Sequence, residues 1–104
     1  MILIVSKRVV DVIDEFYLAA MALHESLDAE TVHKKKQRLI DSLNFLTMFP
    51  EAYGCARVKK EWREYGYREF LCEDFHFAYT ISRNEKGDKV IRVVDAVHSL
   101  LNHD

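Results

Sequence analysis

The sequence predicts an α+β fold in which an N-terminal helical hairpin packs on a small antiparallel β-sheet. Three observations carry that prediction. Apolar residues recur at the helical period between residues 7 and 46, the composition turns aromatic and alternating after Pro50, and 104 residues hold only one proline and three glycines. So few breakers imply long elements joined by short turns, with no linker, internal repeat or low-complexity tract. A chain of this length buries one modest core, so residues 1–104 are expected to form a single domain.

Residues 1–5, MILIV, are apolar and largely β-branched and suit a first strand paired inside the sheet. Ser6 then stands where a helix needs an N-cap. From Lys7 to about Ser26, Val9, Val10, Ile13, Phe16, Tyr17, Ala20 and Leu23 follow the 3.6-residue period, and Leu27 continues it. Asp11, Asp14 and Glu15 begin a polar stripe that Leu18 and Ala22 break, leaving the helix apolar around most of its circumference. Such a helix is covered either by the sheet and its neighbour or by a partner. Asp28 is placed to cap a second helix, with Glu30 in its first turn facing the positive end of the dipole. Val32, Leu39, Leu43 and Leu46 form its apolar face with Ile40 beside them, while HKKKQR, residues 33–38, reads as a solvated basic face. Pro50 closes the hairpin.

Beyond Pro50, residues 55–65 (CARVKKEWREY) read as a strand or an irregular loop. YREFLC is a strand, and Glu73 and Asp74 form a tight turn into FHFAYTIS, residues 75–82. There Phe75, Phe77, Tyr79 and Ile81 share one parity and His76, Ala78, Thr80 and Ser82 the other, as in a half-buried strand. RNEKGDK is a polar loop with Gly87 available for positive φ, and KVIRVVDAVHS returns antiparallel.

Composition bounds the function. A net charge of −2 and a pI near 6.2 provide no global attraction to nucleic acid, so any RNA contact has to be local. Cys55 and Cys72 are too far apart in sequence for a CxxC motif and belong to no zinc-ligand pattern, which points to reduced, half-buried thiols and to no metal or other cofactor. MILIVSKRVV lacks a basic segment before its apolar run, and no apolar stretch reaches membrane-spanning length, so a cytoplasmic protein with no membrane contact is expected.

Alternation also proposes a set of outward groups. With the ringed parity of residues 75–81 against the helices, His76 faces away. The same reasoning puts Arg92, Val94, Ala96 and His98 outward opposite Ile91, Val93 and Val97, and Arg68 and Phe70 outward opposite Tyr67, Glu69 and Leu71. Asp95 falls on the inward parity, where a carboxylate is costly, so a bulge or strand end is expected near it. Arg68, His76, Arg92 and His98 on one surface would suit RNA cleavage through the 2′-hydroxyl. Arg68 and Arg92 would grip phosphate while His76 and His98 exchange protons. On pattern alone, a histidine on the open face of a strand is usually an ordinary surface residue.

The helix-ending LTMFPE, the YRE of the following strand, DFHFAYTI and the closing VIRVVDAVHSL, in that order and spacing, resemble the RelE/ParE toxin superfamily of bacterial type II toxin–antitoxin (plasmid stabilisation) modules. The resemblance spans most of the chain. It implies a hairpin packed on a small antiparallel sheet, and a toxin neutralised by a cognate antitoxin whose extended segment covers it. RelE-like members cut mRNA on the ribosome with basic residues on the sheet face. On that likeness Arg68, His76 and His98 would be catalytic, with Arg68 holding phosphate. ParE-like members are non-enzymatic inhibitors of DNA gyrase, and a non-toxic binding module is the third alternative. Phe70 stands where some nucleases are basic, and the tail SLLNHD lacks their arginines, lysines and terminal tyrosine. His103 is the tail group that could stand in for them.

Overall fold

Each long helix begins at the residue expected to cap it. Ser6 accepts from the Val9 amide, and helix α1 runs Lys7–Leu23; Asp28 accepts from the Thr31 amide at 2.8 Å, and helix α2 runs Ala29–Phe45. The computed structural model describes residues 1–101. Strand β1 (Ile2–Val5) precedes the hairpin; after it come a 3₁₀ turn (Pro50–Ala52), helix α3 (Lys60–Tyr65), strands β2 (Arg68–Cys72), β3 (Phe75–Arg83) and β4 (Lys89–His98), and a last 3₁₀ turn (Ser99–Leu101).

The strands lie in the order β1-β4-β3-β2, antiparallel throughout β2, β3 and β4, with β1 added parallel to β4. The expected α+β fold, two helices on a small sheet, is therefore present. Contrary to expectation, β1 is an edge strand and not an interior one, and Ile2, Ile4 and Val5 are each more than a third exposed.

Val9, Ile13 and Tyr17 of α1 and Val32, Leu39 and Leu43 of α2 pack on Phe70, Phe75, Phe77, Tyr79, Ile91, Val93 and Ala96 of the sheet. Phe75 and Phe77 are fully buried, each contributing about 1.5–3 kcal/mol by area. The basic run on α2 is largely solvated, as its composition implies. Lys34 pairs with Glu30 along the helix, and Lys36 reaches Asp14 of α1 at 2.8 Å. Both thiols are free, but Cys55 is exposed and only Cys72 is half-buried.

Residues 55–65 depart most from expectation. Cys55 bridges to Arg68, Ala56 N donates to Tyr67 O, and Lys60–Tyr65 is a short helix ended by Gly66 at φ 73°. That helix sets Trp62 on the sheet face opposite the hairpin. There Trp62, Ala56 and Ala78 form a second buried cluster with Tyr67, Val94 and Val97 against it. The indole N–H donates to Asp95 Oδ2 at 3.0 Å, and Arg8 Nε lies 3.4 Å from Asp95 Oδ1. The sheet is thus covered on one side by the hairpin and over part of the other by α3.

Candidate functional site

Two local features decide which side chains meet. The first is the two-residue turn Glu73-Asp74, both residues at positive φ (52° and 67°), which pairs Cys72 with Phe75. Counting back, Leu71 pairs with His76, Phe70 with Phe77 and Arg68 with Tyr79. Residues directly opposite in an antiparallel pair share a face. Arg68 and Phe70 therefore lie on the helix side, and Glu69 and Leu71 lie outward with His76, the reverse of the expected assignment. Phe70 is buried in the main core; Arg68 Nη1 donates to the Tyr53 carbonyl at 2.5 Å and the Glu51 carbonyl at 3.3 Å. Arg68 holds the backbone around the 3₁₀ turn after the hairpin. Beside it the buried Tyr79 hydroxyl donates to Pro50 O at 2.6 Å, and burial pushes that phenol up to about 12.

The second feature is the bulge expected near Asp95. Tyr79 pairs with Val93 and Ala78 with Asp95, so Val94 is the extra residue and every later position of β4 changes face. Asp95 and Val97 turn outward; Ala96 and His98 turn inward, opposite Phe77 and Phe75. His98 is 8% exposed, its ring stacked on Phe16 at 4.0 Å and edge-on to Phe75. Its Nδ1 accepts from the Leu100 amide at 3.1 Å. Burial lowers its pKa, so the neutral imidazole is the packed form.

The four residues expected on one surface are therefore separated. Arg68 and His98 lie on the helix side; His76 and Arg92 lie on the other, where Arg92 is exposed opposite Thr80. Thr80 is four residues along β3 from His76, which puts Arg92 roughly 13 Å from it at strand spacing. His103 lies outside the described residues.

In place of that set, the outer face brings His76 to two residues that alternation did not single out. Nδ1 of His76 lies 3.1 Å from Glu69 Oε2, and Nε2 lies 2.9 Å from Ser99 Oγ. Glu69 Oε1 accepts the Arg57 and Val58 amides, both at 3.1 Å, so the segment before α3 fixes the carboxylate. Ser99 is anchored to the Glu73-Asp74 turn, with its N and Oγ 2.9 and 3.0 Å from Asp74 O. The signal for Glu69 was available in the turn length, which fixes the β2 to β3 register. Ser99 had none, because its position depends on the bulge.

A second candidate surface is apolar. Val5, Val10, Ile13, Ile40 and Leu43 line a cleft between α1, α2 and the end of β1, rimmed by the Lys36–Asp14 pair. Leu18 and Leu23 of α1 are more than two-thirds exposed, so the wide apolar surface of that helix is only partly covered. Among the described residues no helix is long and apolar enough to cross a membrane, and no His, Cys, Asp and Glu side chains are grouped to hold a metal ion. Comparison with protein-family models, with curated proteins and with solved structures finds no match.

Proposed function

We propose that this chain is a toxin of the RelE/ParE type that acts by binding a protein target, and not by cutting RNA. The resemblance in LTMFPE, DFHFAYTI and VIRVVDAVHSL supports the toxin assignment and a cognate antitoxin as partner. One observation carries the choice of mechanism: the two arginines and two histidines that RNA cleavage would need are divided between the two faces of the sheet. A base, an acid and a phosphate grip contribute only when they converge on one reacting centre. The net charge of −2 adds no general attraction to RNA that could offset this dispersal. What the surface offers instead is the apolar cleft of the hairpin and the open edge of β1, both suited to protein contact. DNA gyrase is the target that ParE-type toxins share, and it is the first to test.

The test is induction in a bacterial host, following growth, mRNA integrity and gyrase-linked DNA breaks. Growth arrest with DNA breaks and intact mRNA is expected, and it should persist in Arg68→Ala, His76→Ala and His98→Phe variants that remain folded. Ile40→Glu, which puts a charge in the apolar cleft, should abolish it. Messenger cleavage lost with His76→Ala would overturn the mechanism in favour of a nuclease. Unimpaired growth would overturn toxicity itself.

A further inference from the structure

Glu69, His76 and Ser99 stand in the order carboxylate, imidazole, hydroxyl, with separations of 3.1 and 2.9 Å. Nothing in the toxin reading uses them. With the imidazole neutral and its Nδ1–H donating to the Glu69 carboxylate, Nε2 of His76 is left as an acceptor facing Ser99 Oγ. The two inner members are well shielded, each side chain 16% exposed, while Ser99 is open to solvent. The carboxylate is held through its other oxygen by two backbone amides, so the imidazole has a fixed orienting partner. These are the elements of an activated nucleophile: a hydroxyl within reach of a base that is itself oriented by a third group.

We propose that Ser99 is a nucleophile toward activated acyl esters, with His76 as its base and Glu69 as the residue that positions His76. Ser99 Oγ attacks the acyl carbon while its proton passes to His76 Nε2. The bond from acyl carbon to leaving oxygen breaks, and that oxygen takes the proton from His76. Water, deprotonated by the same imidazole, then cleaves the Ser99 ester, releasing the carboxylic acid and restoring the hydroxyl.

The surroundings define the substrate class. Leu71 lies beside His76 on β2, and Leu100 and Leu101 follow Ser99 in the 3₁₀ turn, all three more than half exposed. They favour an apolar acyl chain. Ser99 N is engaged by Asp74 O, and Leu100 N by His98 Nδ1, so neither of these amides is available to an oxyanion. Loss of an oxyanion donor typically slows acyl transfer by about 10²–10³-fold. Reaction is therefore restricted to esters with good leaving groups, such as aryl esters, and to phosphonylating reagents. At rest the Ser99 hydroxyl donates to Asp74 O at 3.0 Å, so its proton has to turn to His76 Nε2 for the attack.

Incubation of the full chain with an alkyl fluorophosphonate, read by intact mass and peptide mapping, tests the assignment. p-Nitrophenyl butyrate hydrolysis is followed in parallel. One adduct on Ser99 is expected, absent in Ser99→Ala and slowed at least ~100-fold in His76→Gln and in Glu69→Gln, where an amide would reverse the imidazole tautomer. Ser99→Ala alters an exposed side chain, and its melting temperature serves as the folding control. No adduct, an adduct on another residue, or labelling of Ser99 at an unchanged rate in folded His76→Gln would each overturn the proposal. The toxin reading survives any of these outcomes, because it does not depend on Ser99.

Discussion

Replacing Trp62 tests whether α3 closes the outer face of the sheet. The side chain is 1% exposed, packs with Ala56 and Ala78, and donates to Asp95, whose own side chain is 23% exposed. Trp62→Ala removes the ring and leaves a void, a change that costs about 3–5 kcal/mol in well-packed sites. Trp62→Phe keeps most of the apolar burial but removes the donor to a carboxylate, at about 1.5–3 kcal/mol. Asp95 Oδ1 retains the Ala96 amide at 2.8 Å in both variants, so the carboxylate is not stranded. With a urea m-value of about 1.5 kcal/mol/M, the denaturation midpoint should fall by about 2–3 M for alanine and about 1–2 M for phenylalanine. Far-UV circular dichroism is the appropriate probe, since Trp62 is the only tryptophan. An alanine midpoint within about 0.5 M of the parent would refute the docking of α3. Equal losses in the two variants would refute the role assigned to the indole hydrogen bond.

Three further expectations follow from local geometry. Because burial depresses the folded pKa of His98, the unfolded chain binds that proton first as pH falls. The stabilisation is present above the ordinary histidine value of 6.5 and is lost below it, and His98→Phe should flatten the 7-to-5 portion of a melting-temperature profile. Gly66 caps α3 at φ 73° with nothing within 4 Å of an added Cβ, so Gly66→Ala should cost about 1 kcal/mol from backbone conformation alone, measured by urea denaturation. Glu73 occupies a left-handed position at φ 52° in a two-residue turn that favours asparagine, and Glu73→Asn should raise stability by about 0.5–1 kcal/mol in the same assay.

Much of the architecture was legible because local chemistry and global fold agree in it. The caps at Ser6 and Asp28, the helical periods, the ringed face of β3 and the positive φ of Gly87 all appear where residue type required them. The functional surface was not, for two separate reasons. The register of β2 followed from the Glu73-Asp74 turn, since a two-residue hairpin pairs 72 with 75 and sends Phe70 inward. Reading YREFLC by its own alternation instead placed Arg68 on the wrong side. On β4 a single extra residue reversed the faces of Ala96, Val97 and His98. The inward parity of Asp95 signalled it, but its location at Val94 rests on Trp62 and Arg8, residues far away in sequence. Helix α3 was missed because six residues with alternating charge carry little periodic signal.

The first strand and the last are neighbours. Ser6 meets Val94 across a sequence separation of 88, and Ile2 aligns with Val90. Closing so long a loop is entropically expensive and is repaid only once β4 is in place. During synthesis, four consecutive aliphatic residues must therefore emerge and wait, unpaired, until Lys89–His98 has followed. The same strand should be the first to peel away under load, and each departure would uncover a fresh backbone rim along Ile91 and Val93.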